Sequence, residues 1–327
     1  MTSSGDRGWL RAMPADGGRD ALFDRAGHRV YGTCRLSELV QGRPPGVTGS
    51  QWGSASRAAF DLVVSAADTG RSVVAVAIGP VPPAGSTEQR VERLTDAVSA
   101  AVGLPVLRIG SPTLRAAEHG RRLVEYVVDA RAYAAGGTGD EPAPVGFRDI
   151  LGRLPDGRTG PVNDLGTLTR AAAVEAYVAG RLADPIVRGL HVHWAEGPAE
   201  GWSWVQVRPD ACLVERVSVT AQRFSCGVDA ARLAEDLATV AVGERLRAVR
   251  PDGPDLLARA DLTTEIVALS RRRTSWWAVS RSTTSARTDR PLSLLNPAPH
   301  PIRSGGGANF PVRGLNLPRR RPVLLRE

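Results

Sequence analysis

Lysine is missing altogether: all 42 basic residues are arginine. A Walker-type phosphate loop, the strand lysine of a protein kinase and a pyridoxal Schiff base each need a lysine amine, so these classes are excluded. No run of 18 apolar residues occurs, which leaves no membrane span of ordinary length. The first residues, MTSSGDRGWLRAMPADGG, lack the apolar stretch of a signal peptide. A cytoplasmic location follows as the expectation. Cysteine is scarce. Cys34, Cys212 and Cys226 have no metal-ligand spacing and are odd in number, which reads as buried free thiols in a reducing compartment. Aromatic residues make up only 5% of the chain.

What is present is arranged unevenly. From Arg271 to the end there are 12 arginines and two acids, Asp289 and Glu327, a charge of +10. The total is +8, leaving residues 1–270 at −2. The basic character therefore belongs to the C-terminal segment.

In chain order, residues 1–18 lack periodicity and read as a disordered leader. Arg19 to Ala26 is predicted as a short helix that Gly27 ends. Val30, Gly32 and Cys34 alternate with Tyr31 and Thr33, as in a strand. Ser37 to Val40 reads as a helical turn, and residues 42–56 as a loop. Phe60 to Val64 is a predicted strand with one acid, Asp61. After a turn at 66–71, Ser72 to Ile78 is the most continuous apolar run and reads as a strand buried on both faces. Ser86 caps a helix, with Gln89 at the capping-box position. Val91, Leu94, Val98 and Val102 recur at helical spacing until Gly103 stops them. Leu104 to Ile109 is another strand, and Ser111-Pro112 opens the next helix.

This ordered set, HRVYGTCRLSELV, FDLVV, VVAVAIG and STEQRVERLTDAVSAAVGLPVLRI, resembles small bacterial domains of unknown function with a restriction-endonuclease-like (PD-(D/E)XK-type) fold. The resemblance covers residues 19–131. It implies a mixed α/β sheet flanked by helices. It also implies a site in which one strand's Asp, and an acid and a Lys or acid two apart on the next, hold magnesium for attack on a phosphodiester. Asp61 matches the first acid, and Gln89 matches a polar residue at the helix start. The pair on the next strand falls at Ala77 and Gly79, which cannot ligate a metal. Asp20 or Asp24 stands where an acid on the first helix would be. A remnant site without catalysis is expected, with no metal and no cofactor. Magnesium returns only if displaced acids make the chain an active nuclease.

Residues 132–165, rich in Gly and Pro, read as a linker with one helical turn at Phe147 to Leu154. Residues 166–269 read as a second, α+β domain. Thr167 to Leu182 is a helix whose apolar residues are Leu168, Ala172, Val174, Tyr177 and Val178. Three strands, at 186–194, 202–207 and 212–224, precede helices at 229–249 and 256–269. His191 and His193 share a strand face, the spacing of some metal sites, with three other histidines in the chain and Glu196 and Glu200 in the adjoining loop; two partly exposed strand histidines is the favoured reading. Trp202 and Trp204 share a face for cross-strand packing or base stacking. Residues 270–327 read as a disordered Arg- and Pro-rich tail, whose composition an out-of-frame extension of a GC-rich gene would share. Its Arg271, Arg272, Arg273, Arg319, Arg320 and Arg321 suit phosphates, and Trp276 and Trp277 suit bases. DNA or RNA is thus the expected partner, with no membrane. A protein-interaction scaffold without a nucleic-acid role is the remaining reading.

Overall fold

The computed structural model describes residues 8–13, 19–136, 151–153, 159–161, 165–194, 196–250, 253 and 255–271. The molecule is α/β. Strands β1 (Phe23–Arg25), β2 (His28–Tyr31), β5 (Leu62–Ala66), β6 (Ser72–Gly79), β7 (Val106–Gly110), β10 (Asp184–Val192), β11 (Ala199–Arg208), β12 (Ala211–Gln222) and β13 (Leu257–Ala258) form one mixed sheet. Its order is β1-β2-β5-β6-β7-β12-β11-β10, with β13 added beside β12. Two small pairs stand apart: β3 (Cys34–Arg35) with β4 (Ala59–Phe60), and β8 (Leu151–Arg153) with β9 (Thr159–Pro161). The helices are α1 (Leu36–Leu39), α2 (Gly49–Ala55), α3 (Thr87–Val102), α4 (Ala116–Gly136), α5 (Thr167–Val178), α6 (Ala230–Leu246) and α7 (Arg259–Arg271).

β6 is central, as its apolar run predicts. It pairs antiparallel with β5 and parallel with β7. Its alternation divides two cores. Val74, Val76 and Ile78 face Leu123, Val124 and Val127 of α4, together with α6. Ala75 and Ala77 face Leu94, Val98 and Val102 of α3, and these small side chains let that helix lie close. Ser86 caps α3 by accepting the Gln89 N–H (3.0 Å), and Gly103 ends it at φ 72°.

The sheet crosses the boundary expected between residues 19–131 and 166–269. β7 pairs antiparallel with β12, from Gly110↔Ser218 to Val106↔Gln222. Val217, Val219 and six α6 residues enter the same core as β5, β6 and α4. The interval between the two segments is also built differently from the linker reading. α4 runs on to Gly136, Leu151–Arg153 is a strand where a helical turn is predicted, and Leu165 is buried.

Three local expectations give way. Arg19 to Ala26 forms a strand and a turn, because so short a helix is unstable alone. Ala26 (φ 45°) and Gly27 (φ 75°) make the two-residue hairpin joining β1 to β2. The 42–56 loop contains α2, closed by a reciprocal cap: Thr48 Oγ1 accepts the Gln51 N–H (3.3 Å), and Gln51 Oε1 accepts the Thr48 N–H (2.8 Å). α4 starts at Ala116, since Ser111 Oγ accepts the N–H groups of Thr113 and Leu114 in a turn of its own. Within the expected leader, Met13 is buried and donates its N–H to the Gly70 carbonyl (2.7 Å); residues 1–7 and 14–18 lie outside the described residues. No helix among the described residues is long and apolar enough to cross a membrane.

Candidate functional site

Asp61 interrupts the strand predicted over 60–64, separating β4 from β5. Its backbone N–H donates to the Val76 carbonyl (2.9 Å), and its Oδ2 accepts the N–H of Ile78 (2.7 Å). Asp61 is therefore held against β6 by its backbone before Ala77 and by its carboxylate after it, and Ala77 is where the resemblance expects the second acid. Ala77 and Gly79 follow on β6. Their neighbours in register on β7 are Arg108 and Gly110. The strand row that would carry an acid and its partner thus carries an alanine beside an arginine.

Arg108 is the group that the sequence reading did not single out. Its Nε donates to Asp96 Oδ1 (2.8 Å), and Glu92 Oε1 lies 3.4 Å from it. Its guanidinium stands 5.7 Å from the centre of the Phe60 ring. Glu92 and Asp96 are four apart on α3, so both reach the sheet from one helix face. With Ala58, Ala59, Thr87, Glu88 and Val91, the Arg108–Glu92 pair lines a cleft of about 320 Å³. That spacing, and the single charge in the apolar VLRIG strand, were the signals available in the sequence.

Gln89 sits at the start of α3 and acts as a cap. Its Oε1 accepts the N–H of Gly85 (2.8 Å), one residue before the position the capping box predicts. Asp20 and Asp24 are both exposed, Asp24 on the edge strand β1, which β2 separates from β5. Arg271 is the last residue of α7. Arg272, Arg273, Trp276, Trp277, Arg319, Arg320 and Arg321 lie outside the described residues.

The other end of the sheet buries more polar groups. His191 is buried, not half-exposed as its strand position suggests, and its Nδ1 lies 2.7 Å from Glu235 Oε2 on α6. His193 is exposed, with Asp229 at 3.9 Å. Glu215 on β12 accepts from Arg245 Nη1 (2.9 Å) and Thr113 Oγ1 (2.8 Å). Ser203 Oγ donates to the Arg188 carbonyl (3.0 Å) and stands 3.2 Å from Thr239 Oγ1. Ser203 has no exposed surface. A nucleophile there would have no route to substrate, so these groups tie α6 to the strands. Among the described residues no group of three or more His, Cys, Asp or Glu side chains is placed to hold a metal. Trp202 is buried under α7 and covered by Arg216, 4.3 Å from its ring, and Trp204 packs in the same cluster. Burial pushes all three cysteine thiols above their ordinary range.

No protein-family model, curated protein or solved structure matches the chain.

Proposed function

We propose that the chain is a nuclease-like protein without hydrolytic activity, which holds DNA or RNA through its C-terminal arginines. The observation that carries this is the placement of Asp61: its carboxylate accepts the Ile78 N–H, with Ala77 and Gly79 where partner acids would stand. A single carboxylate already engaged by backbone is a poor magnesium ligand, since the ion needs several oxygens in octahedral array. The restriction-endonuclease-like frame supplies the scaffold in this reading, and magnesium has no role. Affinity comes from the +10 segment beyond residue 270. It neutralises phosphate, which gives little sequence preference.

The test has two arms on the full chain. Incubation with plasmid and single-stranded substrates in magnesium or manganese is expected to give no turnover. Turnover that Asp61→Ala abolishes would establish the active-nuclease alternative. In fluorescence anisotropy, replacing Arg271, Arg272, Arg273, Arg319, Arg320 and Arg321 by Gln removes six charges. Each lost phosphate contact lowers the log–log salt slope on duplex DNA by about 0.9. Equal binding by both forms, or none by either, overturns the assignment to the tail; none by either leaves the scaffold reading.

A further inference from the structure

Helix α5 is built inside out. It packs on β10 and α6 with Thr169, Ala173 and Ala176, which are buried. Large apolar residues among those that mark the helix in the sequence point away: Leu168 is 62% exposed, Val174 52% and Val178 81%. Tyr177 borders the same surface, and Ile186, on the neighbouring strand, is 56% exposed. The reason lies in α6, which is buried nearly all round and leaves room beside it only for small side chains.

Among the described residues β10 is the last strand of the sheet on this side. At nine residues it is about 30 Å long, whereas β1 at the opposite edge has three. Exposed edges ordinarily carry prolines, charges or bulges that prevent further pairing. Here those devices are confined to the start of the strand: Pro185, the Ile186 N–H turned onto Asp184 Oδ1 (2.9 Å), and a shift of register between Asp184 and Arg188. Arg188 is folded along the strand onto Asp184 (2.7 Å). Gly189 to Val192 carry neither proline nor acid.

We infer that a second copy of this chain covers this surface, with β10 paired antiparallel to its symmetry mate and α5 packed against the mate's α5. A two-fold axis through the strand pair keeps equivalent faces on one side of the joined sheet. α5 lies over β10 at that edge, with α6 behind it, so the axis brings Val174 and Val178 of the two copies toward each other. One operation thus covers both elements, which have no partner on these sides among the described residues. A foreign strand would complete the edge and leave the helix bare, and an apolar ligand on the helix would leave the edge unpaired. Glu175 is the one acid within α5, so the surface does not strongly repel its own copy. A strip about 30 Å by 15 Å buries about 900 Å² over the two copies, the size of a weak, concentration-dependent interface.

Sedimentation equilibrium of the full chain from about 1 to 100 μM tests this. The mass is expected to rise from 34.7 kDa toward twice that value. Val174→Asp with Val178→Asp, both at exposed positions, should weaken association at least about a hundredfold and leave the circular dichroism spectrum unchanged. Val178→Cys should cross-link to its own copy under mild oxidation, since the three native thiols are buried. A chain that stays monomeric at 100 μM, or a dimer that survives the double substitution, overturns the proposal.

Discussion

β5, β6 and β7 hold a single ionisable side chain between them, Arg108, whereas β10, β11 and β12 hold eight. The two regions share one sheet and one core, yet they use polar groups in opposite ways. In the first, apolar alternation alone fixes which helix covers which face. Its one notable carboxylate, Asp61, lies at a break between strands. In the second, a His–Glu pair and an Arg–Glu–Thr set bind α6 to the strands beneath it. A buried titratable group is therefore a poor guide to function here. The richest cluster is the framework, and the sparse region holds the residues of the proposed remnant site.

Breaking a buried pair should hurt more than removing the lone acid. Glu235→Ala leaves the buried His191 ring nitrogen without its hydrogen-bond partner and should cost about 3 kcal/mol, the upper end for an orphaned buried group. Asp61→Ala orphans one half-buried N–H and should cost about 1–3 kcal/mol. Urea unfolding of both variants measures the gap. Equal losses would mean that Asp61 is as structural as Glu235.

Glycine sharpens the same contrast. A Cβ on Gly201 of β11 would fall 2.0 Å from the Ala234 carbonyl carbon, so the strand cannot accept a side chain without displacing α6. Gly201→Ala should cost about 2–3 kcal/mol. At Gly79 a Cβ would meet nothing within 4 Å, so Gly79→Ala should stay within about 0.5 kcal/mol. Thermal unfolding distinguishes them, and similar melting temperatures would show that α6 yields more readily than its burial implies.

The last effect is confined to alkaline pH. The folded thiols titrate above the unfolded ones, so their contribution is complete below pH ~8.5 and is lost as pH rises beyond it. The loss should be roughly 1 kcal/mol per thiol per pH unit. Cys212→Ala, in the second region, should remove about a third of it. A stability that is flat to pH 10 would mean that the thiols are already accessible.

Much of the sheet was legible, for reasons specific to each element. SVVAVAIG admits only a central strand, because an apolar face on both sides suits nothing else of that length. Ser86 and Gly103 bracket α3 with side-chain and backbone chemistry that needs no neighbours. Less legible was GSQWGSA, whose two glycines oppose a helix that the Thr48–Gln51 cap nevertheless closes. Arg19 to Ala26 was misread because the positive φ at Ala26 carries no sequence mark. Of the proposed remnant site, Asp61, Ala77 and Gly79 can be named from the sequence, whereas the place of Arg108 depends on α3 lying over β7.

The sequence by itself determined what local chemistry controls: the period-two strands, the capped α3, the lack of lysine and the basic C-terminal segment. Tertiary structure decided three things that no local pattern contains. β7 pairs with β12 across more than a hundred residues, joining two expected domains into one sheet. His191 is buried because Glu235 comes to it from a helix 44 residues away. α5 turns its large side chains outward because α6 has already filled the space beneath it. An apolar residue favours burial wherever it can be had, and which face obtains it depends on the neighbours that arrive.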